Sequence, residues 1–274
     1  MLKLLKIEWL KIKNYKAFII ISSFFTLGIF ASNYVVYIFF KNIITESQAG
    51  MLIPKFNPYS FDYTWQTTSY ATGWILILPA LLLIMLVTNE FTYRTNRQNI
   101  LDGLSRAQFI NVKLMLAVLI ALASTIIVIL SALIFGALSG TDFSFNGFSH
   151  VGFFFWKSLS YNLLAVLIGV WIRRTGFAIG MYFIYMGAEN LVSTMLDGWS
   201  MKLRKDGVAD LGSMGDYLPL GSSDGLLTLP DNAIKSMMKG AMPTNYTWIV
   251  VVLSVLYALF FFWFSRRRII KTDL

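Results

Sequence analysis

The chain has 274 residues, 57% hydrophobic and 14% charged, with a formal net charge of +9, no cysteine and one histidine. A soluble domain carries about 25% charged residues, so this composition and a mean hydropathy of +0.64 place the chain among membrane proteins. Lack of cysteine excludes disulfides, thiolate metal sites and cysteine nucleophiles, and the lone His150 leaves no histidine cluster for a metal.

In chain order, Met1–Lys16 comes first. Leu2, Leu5, Trp9 and Ile12 share one helical stripe, with Lys3, Lys6 and Lys13 off it. Two readings stand: a helix on the inner membrane surface that meets anionic headgroups, or a basic flank that orients the first span. Ala17–Phe40 is the first apolar block, and its 24 residues exceed a signal-peptide core. Lys41–Tyr70, with Phe56, Tyr59, Phe61, Tyr63 and Trp65, reads as an interfacial aromatic cap. Ala71–Thr88 is the second block.

Asn89–Gln108 is polar, basic and long for a connector. Phe91, Ile100, Leu101 and Leu104 are apolar enough to meet lipid or protein. Arg94, Arg97, Asp102 and Arg106 are placed to meet a cytosolic partner, and Ser105 is a plausible N-cap for the next helix. The competing reading is a solvated loop that only orients the chain. The third block, Phe109–Ser139, spans 31 residues, about 46 Å as a straight helix, so its Lys113 end is expected to project into the cytosol. Ala117, Ala121, Thr125, Ala132, Gly136 and Gly140 put small side chains at close-packing spacings along it, for packing within the chain or a dimer seam.

Val151–Ile172 and Phe177–Leu196 are the fourth and fifth blocks, and Arg173-Arg174-Thr175-Gly176 between them makes an antiparallel hairpin. The fifth carries Glu189 next to Asn190 well inside its apolar run. A carboxylate there is expensive in lipid and must face the bundle interior; it is either a translocation-path or gating residue or a structural, hydrogen-bonded acid. Asp197–Asn245 is rich in Gly and Pro yet carries apolar residues such as Leu218, Leu220, Met237 and Met238. Short helices folded back on the outer mouth fit it better than a loose loop. Tyr246–Phe264 is the sixth block.

Six spans are thus expected, about 20 apolar residues each. Alternate loops divide the charge unequally: one side holds 15 Lys and Arg and a net charge of +11, the other 8 and a net charge of −1. The positive-inside rule puts the rich side, with both termini, in the cytoplasm. The basic excess therefore serves orientation, and no nucleic-acid partner is expected.

Chemistry is sparse. No Gly-x-x-x-x-Gly-Lys-Ser/Thr phosphate loop is present, nor a His-Glu-x-x-His or Gly-x-Ser-x-Gly motif. The chain is expected to be no enzyme, with no catalytic residue, cofactor or metal of its own, and any ATP and Mg would be bound by another subunit.

From Glu90 to Lys113 the order Glu90, Thr95, Arg97, Leu101, Ser105, Arg106, Lys113, taken with the topology, resembles the permease subunits of ABC-2 type ATP-binding-cassette exporters. Arg94 stands where that family usually has Gly, and Leu104 near its usual Pro. The resemblance implies an all-α permease with an N-terminal interfacial helix and six spans in the cytoplasmic (inner) membrane. It implies that 89–108 is a coupling helix docking on a cytosolic ATPase subunit through Glu90, Arg94, Thr95, Arg97, Asp102, Ser105 and Arg106. It also implies that Asp197–Asn245 forms re-entrant external gate helices, and that a second permease pairs with the first among membrane lipids; Glu189 and Asn190 stand as the candidate path or gate residues. The implied activity is export of a hydrophobic or amphipathic substrate. Two other classes are weighed. A membrane-embedded lipid-modifying enzyme would use Glu189, with His150 as its only partner; a secondary transporter would normally need more intramembrane charges.

Overall fold

The computed structural model describes residues 2–46, 57–230 and 247–271, and these form helices with no strand. Helix α1 (Leu2–Ile12) turns at Lys13–Asn14 into α2 (Lys16–Glu46). Helix α3 (Phe61–Thr72) runs through one 3-10 turn, Gly73–Leu76, into α4 (Ile77–Thr92). The turn has a local cause: Pro79 has no N–H to donate to the carbonyl of Ile75, and its ring crowds that carbonyl. Next come α5 (Thr95–Leu101), α6 (Arg106–Leu138), α7 (Ser149–Ile172) and α8 (Thr175–Lys205). A second 3-10 turn (Met214–Tyr217), the four-residue α9 (Gly221–Asp224) and α10 (Thr247–Lys271) complete the described chain.

Five of these units are long and apolar enough to cross a membrane: α2 from Lys16 to Phe40, the α3–α4 unit, α6, α7 and α10. The chain is a helical membrane protein on that ground. Helix α8 has the length, 31 residues, but Glu189, Asn190, Asp197 and several tyrosines and glycines dilute it, and it is not among the five. The second unit starts at Phe61, ten residues before the expected boundary. Phe61–Tyr70 is therefore helix, with Phe61 packed inward and Tyr63 exposed. Tyr59 and Trp65 are buried, and the Trp65 ring meets Phe143, Phe145 and Phe148 of the α6–α7 loop. Phe56 and residues 231–246, with Met237 and Met238, lie outside the described residues.

Helix α7 is the axis of the bundle. Tyr161 to Val170 is continuously buried, and α4, α6, α8 and α10 pack around it. The small residues of α6 serve this packing. Ala117, Ala121 and Ala132 are fully buried, and Asn162 of α7 donates to the Ala117 carbonyl at 3.1 Å. A Cβ at Gly136 would come within 2.7 Å of the Phe61 ring.

Helix α1 and the close of α10 lie at one end of the bundle. Lys113 near the start of α6 pairs with Glu8 of α1, and Arg106 reaches the Ile270 carbonyl of α10 at 3.5 Å. The Thr88 and Thr175 hydroxyls, 2.8 Å apart, bring the start of α8 to that end too.

Candidate functional site: a charged elbow and an outer cavity

Two polar assemblies stand out, one at each end. At the end holding α1 and the close of α10, Glu90 closes α4 and receives Lys113 Nζ at 2.5 Å and Lys11 Nζ at 3.3 Å. Glu8 receives the same two ammoniums at 2.6 and 3.0 Å. Two acids and two lysines thus form a neutral quartet joining α1, α4 and α6. Lys113 is 1% exposed, and both acids are buried. Asn99 of α5 approaches Glu90 Oε2 at 3.5 Å, and the Thr95 hydroxyl donates to the Glu90 carbonyl at 3.4 Å. Burial opposes ionisation of Glu8, but Lys113 and then Lys11 hold its carboxyl below the ordinary range. Burial likewise disfavours charge on Lys11, and Glu90 and Glu8 outweigh it, raising its pKa.

The Lys113 side chain is packed inside the protein as the buried centre of the elbow. Glu90 is equally a structural hub and not an exposed contact. The expected stripe of α1 turns inward at Leu5 and Ile12 but not at Trp9. Ile12 and Glu8 are buried and Leu5 packs on the core, whereas Trp9, Ile7 and Leu10 are exposed. Glu8 follows its partner Lys113 inward, and Trp9 turns out to meet Phe18 edge-on.

The helix inside 89–108 is only the seven residues of α5. Arg94, Arg97 and Asp102 are exposed around it, with Tyr93 at 74% and Leu101 at 86%. Three other expected contact residues are engaged within the chain. Ser105 and Gln108 form a reciprocal capping box at the start of α6, Thr95 holds Glu90, and Arg106 reaches α10.

Arg94 adopts the left-handed conformation, φ 57° and ψ 17°, which costs a non-glycine residue about 1–2 kcal/mol. Arg94→Gly is accordingly expected to raise thermal stability, by at most about 1 kcal/mol after the entropy of glycine is counted. A melting temperature below that of the unaltered protein would contradict it.

At the other end lies a cavity of about 760 Å3 between α3–α4, α7, α8 and the segment after α8. Glu189 and Asn190 both line it. Glu189 Oε1 accepts from the backbone N–H groups of Leu220 and Gly221 at 2.6 and 2.7 Å, so it fastens the segment to α8. Asp197 accepts from the Ser213 hydroxyl at 3.1 Å and the Gly215 N–H at 2.8 Å. Leu220, Leu226 and Leu227 of this segment are buried, and the Tyr257 hydroxyl of α10 donates to the Tyr217 carbonyl at 3.0 Å.

Lys157 is the residue that sequence reading passes over. It sits within the fourth apolar block, buried, with Asp224 at 3.1 Å; the Tyr161 hydroxyl donates to the same carboxylate at 3.0 Å. An ammonium inside a span calls for a partner, and the Gly-rich segment supplies one in Asp224. His150 is engaged with the Gly147 carbonyl at 3.0 Å and does not line the cavity holding Glu189. The acid–base pair of the lipid-modifying alternative is thus not assembled. Among the described residues no three His, Asp or Glu side chains converge as a metal site. Set against models of known families and against curated proteins, the chain matches none.

Proposed function

We propose that this chain is the membrane-spanning permease of an ATP-driven exporter, worked from the cytosol through the elbow at Glu90–Lys113. One observation carries the reading: a short helix with outward Tyr93, Arg94, Arg97, Leu101 and Asp102 is mounted on a buried charge quartet joining three other helices. An exposed mixed apolar and charged patch suits a protein partner, and a rigid mount lets a push on that patch move α1, α4 and α6 together. Lack of a phosphate loop assigns ATP and Mg to a partner ATPase.

In this reading α8 also crosses the membrane, making six spans. Both termini then lie on the basic, cytoplasmic side of the inner membrane, in accord with the end of the bundle that α1 and the close of α10 share. Among the described residues, helix α8 buries only Ala178, Tyr182 and Ser200, and no other element lies within 4 Å of a Cβ built at Gly176, Gly180, Gly187 or Gly198. Such a helix suits pairing with a second permease. The segment from Asp197 to Pro230 serves as the external gate, latched by Glu189.

Arg97→Glu tests the docking face. The variant is expected to retain the melting temperature of the unaltered chain and to bind its phosphate-loop ATPase about tenfold more weakly, because like charges then meet across the interface. An unaltered complex on co-purification would count against the reading, as would transport by the chain reconstituted without any ATPase.

A further inference from the structure

The outer cavity carries a charge imbalance that the gate role leaves unexplained. Glu189, Asp197, Asp216 and Asp224 line it, and Lys157 is the one cation among the described residues in its wall. That ammonium is already committed to Asp224. Neutral donors fix Glu189 and Asp197 in place but do not cancel their charge. With every carboxylate ionised, four acids against one ammonium leave an excess of up to three negative charges around the space.

One further feature points to a ligand. Tyr70 and Trp74 form an aromatic wall, with Trp74 largely exposed, and an aromatic face attracts a cation within about 6 Å. The chain uses that attraction here, since Lys157 Nζ lies 5.6 Å from the Tyr161 ring centre.

The acids are spread around the space and do not converge on one point, which disfavours a bare metal ion. The volume is that of a site for a drug-sized molecule. We propose that this cavity binds an amphipathic organic cation, its charge among Glu189, Asp216 and Asp224 and its apolar body against Tyr70 and Trp74. As the identity of the exported cargo this rests on the transport reading; as a binding site it stands on the cavity alone.

The test is direct binding to the full chain in nanodiscs, with empty nanodiscs subtracted, and needs no ATPase. Tetraphenylphosphonium and tetraphenylborate have nearly the same shape and opposite charge. The cation is expected to bind at least about tenfold more tightly than the anion. Asp216→Asn, which removes a charge without touching the Lys157 pair, is expected to weaken the cation about fivefold. Trp74→Ala, at an exposed position that folding tolerates, should weaken it by a similar factor.

Burial, with Asp197 of α8 and Asp224 of α9 close by, pushes Asp216 up to about 6. Lys157 of α7 and Glu189 of α8 are the other charges in the cavity wall. As pH falls through 6, Asp216 takes up a proton and cation binding should weaken; Asp216→Asn should flatten that profile. Equal binding of the two probes, or unchanged phosphonium binding in both variants, would overturn the assignment. Neither result would touch the docking test at Arg97.

Discussion

Lys113→Met is expected to be the most damaging single substitution at the elbow, lowering stability by about 3–5 kcal/mol. It leaves Glu8 and Glu90 buried, with only Lys11 to balance them, and the Lys11 side chain is 40% exposed. Carboxylates without a partner in such a place must protonate or draw in water, and either opens the contact between α1, α4 and α6. The triple variant Glu8→Gln, Lys113→Met, Glu90→Gln separates stability from function. Removing all three charges together should recover most of the loss, because a buried ion pair is rarely better than a neutral replacement. Thermal unfolding of the single and triple variants, followed by tryptophan fluorescence, reads this. A single variant as stable as the parent would show that the quartet holds nothing together. In the transport reading the triple variant folds yet couples poorly, since a neutral elbow transmits force less rigidly.

The same quartet sets a pH profile. The Glu8 carboxyl is held below its ordinary range, so the stability it contributes is present above that range and is lost as pH falls through its lowered pKa. Lys11 is held above the ordinary ammonium value, so its contribution is complete below that value and is lost as pH rises through the raised one. Between the two ordinary values the elbow should be level.

How much of this was legible depended on distance along the chain. The polar order from Glu90 to Lys113 interrupts two apolar blocks and reads directly. The capping box at Ser105 and Gln108 is likewise a local pattern. The pairing of Glu8 with Lys113 spans 105 residues, and no periodicity reports it. Taken alone, α1 shows an apolar stripe through Trp9, whereas the inward face runs through Leu5, Glu8 and Ile12. The α3–α4 unit was cut short because Phe61–Thr72 is rich in Thr and Ser and scores as polar. Its buried residues Phe61, Thr64, Trp65, Thr68 and Thr72 nonetheless fall at helical spacing. Lys157 was hidden by the apolar residues on both sides of it, and its partner Asp224 lies 67 residues on in a segment with no pattern of its own. Arg94 is instructive in another way. The family resemblance expects glycine there, the backbone there is left-handed, and an arginine accepts the strain. In the transport reading, the exposed Arg94 side chain serves the docking contact.

Glu189→Leu should release the outer segment without unfolding the bundle. Its Oε1 is the acceptor for two adjacent backbone N–H groups, Leu220 and Gly221, and hydrogen bonds to a charged group contribute about 1.5–3 kcal/mol each. The segment is seated tightly around that point. A Cβ at Gly221 would come within 2.2 Å of the Gly215 carbonyl oxygen, and one at Gly215 within 2.0 Å of Ser193 Oγ, so a small lift of the backbone breaks several contacts together. Glu189→Gln keeps an oxygen in the same place and should retain most of the latch, whereas leucine keeps none. Hydrogen exchange read by mass spectrometry should therefore rise across Gly215–Leu227 in the leucine variant, rise little in the glutamine variant, and stay unchanged at the elbow in both. If exchange in the leucine variant matched the parent, burial of Leu220, Leu226 and Leu227 alone would hold the segment shut. Glu189 would then be a passenger in the wall of the cavity and not its latch.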